Sequence, residues 1–185
     1  MPTKAAKIFY QHQRDFNYLE IRHLWEDAKV DASGIHIAGM HYNALILDSL
    51  SYIPEKAIPF LETLAANGKL IVWRDSQYSA MLKGARVINS DEEMVAAVDI
   101  LITPDIILNP SSENIRYRHV EKDGDHYYIL FNEEESTVTT NLELSVQGKC
   151  WWLNPYSAEV SEVSSNNSLL LKPHELKVLW IDTNN

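Results

Sequence analysis

The chain has 185 residues, 45% hydrophobic and 23% charged, a composition that supports a packed core and excludes wholesale disorder. Its 26 acidic against 16 basic residues give a formal charge of −10, which argues against a nucleic-acid partner, because phosphate binding needs clustered Lys and Arg to displace counterions. Cys150 is the single cysteine, so no intrachain disulfide can form, and no apolar run reaches the roughly 18 residues that a membrane span requires.

The start, "MPTKAAKIFYQHQRDF", has no continuous apolar segment followed by a small-residue cleavage site, so a cytoplasmic location is expected for the chain as given. In "NYLEIRHLWEDA", Asn17 with Glu20 predicts a capped helix whose inner face carries Tyr18, Ile21, Leu24, Trp25 and Ala28. "GIHIAG" and "ALILD" read as short strands, the second nearly uninterrupted in apolar character, as expected when both faces are covered. A helix follows with Ala57, Ile58, Leu61, Leu64 and Ala65 as its stripe, Pro59 in its opening turn and Asn67-Gly68 at its end. "KLIVW" is a second buried strand. "SDEEMVAAVDIL" begins another helix, with Ser90 and Glu93 placed for a capping box and Asp91 and Glu92 favoured by the helix dipole. "DIIL" closes this half as a further strand.

After "TPDIILNPSSEN" the period changes. "NIRYRHVEK" and "HYYILFN" flank Asp123-Gly124-Asp125, a hairpin signal. "STVTTNLELSV", "KCWWLN", "AEVSEV", "SLLL" and "ELKVLWID" supply more strands, separated by Gln147-Gly148, Asn154-Pro155 and Asn166-Asn167. The pattern predicts an α/β flavodoxin-like N-terminal domain over residues 1–107 and an all-β antiparallel sandwich over residues 108–185.

Chemistry is sparse in this pattern. A phosphate site in the strand–helix–strand unit needs glycines where the first strand meets its helix, and that turn, "DSLSYIPEK", has Asp48 and no glycine. The same turn offers Ser49 and Ser51 as nucleophiles without the flanking glycines of a nucleophile elbow, and Cys150 falls within a predicted strand as a small core side chain. His36 and His41 bracket Gly39 with no Cys or carboxylate at ligand spacing, so no metal is expected. Glu133, Glu134 and Glu135 are a solvated run on one loop; a glycosidase pair instead flanks its scissile bond at roughly 5–10 Å. No catalytic or cofactor-binding residue is assigned. Trp151, Trp152 and Tyr156 are the candidates for stacking on a sugar ring, and because neighbouring strand residues point to opposite faces, only one of the two tryptophans can be outward.

The order of "HQRDFNYLE", "GIHIAGMHYNALILD", "PEKAIPFLETLAANGKLIV", "NIRYRHVEKDGDHYYILFNEEE" and "WWLNPYSAEV" resembles the C-terminal region of large multidomain glycoside hydrolases, nearest to family 106, the α-L-rhamnosidase-like proteins. The resemblance runs from about Gln11 to Asp182. It departs from the family pattern at Leu130 and Phe131, near an aromatic position, and at Ala158, where glycine is common. It implies a noncatalytic accessory region of an enzyme whose catalytic carboxylates lie in an upstream barrel-type domain, so no catalytic residue carries over. It also implies, as partners, an upstream catalytic domain or a separate hydrolase subunit. A free-standing glycan-binding protein and a homo-oligomerisation module are the alternatives.

Overall fold

A computed structural model describes residues 3–48, 52–74, 76–163 and 168–183. Strands predominate. The chain divides into two units, one formed by Met1–Ile8 and Phe16–Thr103, the other by Phe9–Asp15 and Pro104–Asn185.

Helix α1 (Lys4–Gln11) starts in unit 1, and its last residues belong to unit 2. A single helical turn, α2 (His23–Glu26), leads into a meander of β1 (Lys29–Asp31), β2 (Gly34–Ile37) and β3 (Met40–Tyr42), all antiparallel. Next come β4 (Leu45–Leu47), α3 (Ile58–Ala66), β5 (Leu70–Trp73), β6 (Arg86–Ile88) and α4 (Asp91–Asp99). Strands β4, β5 and β6 form a three-stranded parallel sheet in chain order. Every residue of β5 is buried, which explains its unbroken apolar sequence: a parallel strand covered on both faces has no solvent side to alternate toward. Leu61 and Leu64 of α3 pack with Leu47, Leu70 and Val72 in one core.

The local signals of α3 and α4 take the expected forms. Pro59 stands in the first turn of α3, where its missing N–H is no loss, and Gly68 (φ +68°) follows the Asn67 C-cap. Ser90 Oγ accepts the Glu93 amide at 3.2 Å, and the Glu93 carboxylate reaches back to the Asn89 amide at 2.7 Å. The helix expected from Asn17 is corrected. Only His23–Glu26 is helical, its N-cap is Arg22 with no side-chain bond, and Tyr18 is exposed. The Asn17 side-chain amide donates to Tyr42 Oη instead, tying this residue to β3, and without a side-chain cap a single helical turn forms before β1 opens at Lys29.

Unit 2 contains β7 (Ile106–Asn109), β8 (Ile115–Lys122), β9 (Asp125–Asn132), β10 (Val138–Leu144), β11 (Lys149–Leu153), β12 (Val160–Glu162), β13 (Ser168–Leu171) and β14 (Leu176–Asp182). They form two sheets, β13–β10–β7 and β12–β11–β14–β9–β8, with every pairing antiparallel. Leu108, Leu142 and Leu169 from the first sheet share one core with Tyr128, Leu130 and Leu179 from the second, so the two sheets face each other. Asp123 (φ 56°) and Gly124 (φ 88°) make the tight turn between β8 and β9.

One strand changes sides. "DIIL", read as closing the first half, forms most of β7 and pairs with β10 from Asn141↔Asn109 to Leu144↔Ile106. The expected boundary after residue 107 therefore cuts through a strand of unit 2. Period-2 alternation identifies a strand but not its neighbour, and Ile106 and Leu108 find their buried surroundings in the sandwich core. Residues 9–15 also belong to unit 2. The buried Gln13 donates to the carbonyls of Ile115 (2.8 Å) and Ser112 (3.0 Å), and Arg118 lies 3.7 Å from Asp15.

Candidate functional site

Asp48, the first residue after β4, is engaged within the chain. Asp48 Oδ2 accepts the Ala5 amide at 2.6 Å, placing a carboxylate at the first turn of α1. A helix N-terminus attracts anions through its free amides and dipole, and here the anion is a fixed side chain. Ser49 and Ser51 lie outside the described residues.

The histidines of the meander find their polar partners at Ser33. His36 and His41 stack at 4.5 Å, His36 Nε2 lies 3.0 Å from Ser33 Oγ, and His41 Nε2 lies 3.2 Å from the Ser33 carbonyl. The Ser33 hydroxyl and amide both donate to Asp31, holding its carboxyl well below the usual carboxylate range. Among the described residues, the one trio spaced closely enough for a cation is His23, half-buried, with the exposed Glu26 and Asp27, on and beside α2, in which His23 Nδ1 already meets Asp27 Oδ2 at 2.5 Å.

The loop glutamates diverge. Glu133 pairs with Arg116 at 2.6 Å, Glu134 bonds to the Asn114 amide, and Glu135 faces His174 at 3.3 Å. Each carboxylate has its own partner, so the three do not form a free pair around one bond. Cys150 points inward on β11 against the sandwich core, its thiol donating to the Gly148 carbonyl at 3.4 Å. Burial pushes that thiol up, away from the thiolate a nucleophile needs.

The aromatic candidates separate as the strand period requires. Trp152 packs against the core, with the Lys177 ammonium 5.7 Å from its ring, so it is a packing residue and not the outward tryptophan. Trp151 faces outward and stacks on Trp180 of β14 at 4.5 Å; Trp180 is in turn parallel to Tyr127 of β9, centroids 6.5 Å apart. Register places these three side by side, Trp151↔Trp180↔Tyr127, across three strands. One face of Trp151 is thus taken by Trp180, and the Lys149 ammonium lies 5.2 Å from the same ring. Tyr156 stands apart in the turn after β11, 85% exposed. Sequence reading missed Trp180 and Tyr127, whose adjacency to Trp151 depends on strand order alone.

A second missed group lies at one end of the sandwich. Asp105 Oδ2 meets His119 Nδ1 at 3.1 Å, and His119 Nε2 meets His126 Nδ1 at 2.8 Å. Tyr128 stacks on His119 at 4.3 Å. Asp105 also receives Ser145 Oγ at 3.2 Å, and its backbone carbonyl receives the Ser145 amide at 3.0 Å. The hydrogen bond from His119 holds the Asp105 carboxyl below its ordinary value, against the upward pull of desolvation. Such a group stabilises the fold above the ordinary carboxylate value of about 3.9, and that stability is lost as pH falls through the lower folded value. Asp105→Asn should therefore melt lower than wild type near neutrality and lose less on acidification. Melting midpoints from pH 7 to pH 2 test this, and parallel curves would rule it out.

No protein-family model matches the sequence, and a search of curated proteins finds no match. Solved structures do share the fold. A rhamnosidase from Novosphingobium sp. PP1Y aligns with a TM-score of 0.69 at 18% identity, over 92% of this chain and 20% of its own. An exo-carrageenase GH42 from Bacteroides ovatus aligns at 0.61 and 13% identity, over 97% and 26%. The fold is one carried inside larger glycoside hydrolases. A third structure, the GH42 β-galactosidase Gan42B, aligns at 0.59 and 12% identity, over 95% of this chain and 35% of its own. The chain thus spans between a fifth and about a third of the length of these enzymes.

Proposed function

We propose that the chain is a noncatalytic accessory region of a glycoside hydrolase, in which unit 1 is a reduced flavodoxin-like layer and unit 2 the β-sandwich that follows it. The observation that carries this reading is coverage: alignments taking in at least 92% of this chain occupy no more than 35% of each enzyme. A part common to a rhamnosidase, an exo-carrageenase and a β-galactosidase points to architecture shared across substrates rather than to one reaction. The order of motifs from Gln11 to Asp182 supports a place near the α-L-rhamnosidase-like family 106. The separately paired Glu133, Glu134 and Glu135, the inward Cys150 and the Asp48 carboxylate bonded to the Ala5 amide favour a supporting role.

The natural partner under this reading is a catalytic barrel, supplied in the same polypeptide or by a separate subunit. The purified chain should leave 4-nitrophenyl α-L-rhamnoside and 4-nitrophenyl β-D-galactoside unhydrolysed at the rate of the buffer blank. Release of nitrophenol in proportion to chain concentration would refute the accessory role.

A further inference from the structure

The outer face of the five-stranded sheet departs from the usual alternation. Buried Tyr128, Leu130, Leu179 and Ile181 fix its inner face, so the residues between them point outward, and the register carries the outward set across to β11. On the three central strands that set includes Trp151, Leu153, Val178, Trp180, Tyr127 and Ile129, all half-buried and none belonging to either core cluster. A solvated face of an antiparallel sheet is ordinarily polar, and a contiguous apolar one marks an interaction surface. We propose that this face binds the same face of a second copy of the chain, about a twofold axis running along β14.

The aromatic rings favour a protein surface over a sugar. Trp151 stacks on Trp180 and Trp180 lies parallel to Tyr127, so the ring faces are turned toward one another along the sheet and the ring edges outward. A sugar stacks on an open ring face, whereas another sheet packs on whatever apolar surface the side chains present.

Charge selects both the partner and the axis. Lys149 on β11 and Asp125 on β9 each stand two residues from the ladder, at the same end of the sheet and on opposite sides of β14. A twofold axis along β14 exchanges the two sides and keeps position along the strands, so Lys149 of one copy meets Asp125 of the other, and the contact occurs twice. The same operation sets Trp151 against Tyr127 and Leu153 against Ile129, with Trp180 and Val178 meeting their own counterparts. Asp182 also lies on the axis, and in each copy Lys149 is its neighbour across the β11–β14 pair. Facing sheets cross at about 30°, an offset that the long, exposed Lys149 side chain can span. A twofold axis across the strands, midway between Trp180 and Val178, would instead lay Asp125 on Phe131 and Asp182 on Leu176. That arrangement buries carboxylates against apolar side chains, which is costly.

This pairing goes beyond the accessory role and does not depend on it, since it needs only the face of one sheet. Sedimentation equilibrium of the full chain should give twice the chain mass at micromolar concentration. Lys149→Glu and Asp125→Lys, both at the end of the sheet, each set like charges opposite one another in both contacts, and each variant alone should weaken the dimer at least about a hundredfold. Mixed in equal amounts, the two variants can form a dimer in which both contacts again join opposite charges. That mixed dimer should return to within about tenfold of wild-type affinity, which a misfolded variant could not do. The proposal is overturned if wild type stays monomeric even at millimolar concentration, if either variant alone pairs as tightly as wild type, or if the mixture remains monomeric.

Discussion

Asn132→Ala is expected to be among the most destabilising single substitutions in unit 2. Asn132 ends β9 fully buried, with both its side-chain nitrogen and its side-chain oxygen hydrogen-bonded. The two hydrogens of its Nδ2 are shared among the carbonyls of Ser136 (2.9 Å), Lys172 (3.0 Å) and Leu171 (3.3 Å), and its Oδ1 accepts the Glu134 amide at 2.9 Å. One side chain therefore fixes the loop after β9 and the segment after β13 together. Alanine leaves those backbone groups facing a void, and each buried group left unpaired costs on the order of 1–3 kcal/mol. With partial relaxation the net loss should be about 3 kcal/mol, and the melting midpoint should fall by roughly 6–12 °C. Asn132→Asp should be no better, because it turns a donor toward carbonyls into an acceptor. A midpoint within about 2 °C of wild type, too small for even one unpaired group, would show that solvent replaces the amide without loss.

Gly34→Ala should disrupt the meander of unit 1. A methyl group at Gly34 would sit 2.1 Å from the Tyr42 carbonyl oxygen and 3.2 Å from His41 Nε2, and the backbone φ of +141° is one that side chains avoid. The obstacle is backbone of the neighbouring strand, so the pairing of Ile35 with Tyr42 must shift, and Ile35 is part of the unit's core. A loss of about 3 kcal/mol or more follows from the clash and the strain together. Gly39 is the internal comparison: it also has positive φ (+77°) but nothing within 4 Å of an added methyl group, so Gly39→Ala carries the backbone strain alone, about 1 kcal/mol. Amide exchange across Ile35–Tyr42 should rise steeply in the first variant and little in the second. Equal responses would mean that the close approach to Tyr42 is unimportant.

The features legible in the sequence are those encoded by near neighbours. The α3 stripe with Pro59 and Asn67-Gly68, the Ser90 cap and the Asp123-Gly124 turn each depend on residues a few positions apart. The features that escaped depend on partners distant in sequence. The β7 strand is visible in "DIIL", but its pairing with β10 is not. The alternation of Trp151 and Trp152 was legible; which one faces outward was decided by the strands on either side. The His119–His126 contact crosses a hairpin whose register could have been read outward from Asp123-Gly124, and it also needs Asp105 from another sheet to give it meaning.

The discontinuity of unit 2 has a consequence for the order in which the molecule can be made. Gln13 is synthesised 102 residues before the Ile115 carbonyl it serves, so during vectorial growth the Phe9–Asp15 segment emerges ahead of the strands of unit 2 that it joins. Unit 1 can assemble in that interval from shorter-range pairings such as β4 with β5. The sandwich then closes last, bringing together ends separated by the whole of Phe16–Thr103, and such non-local closure is the slow kind. Cleavage between the units would separate the sandwich from the first residues it was waiting for.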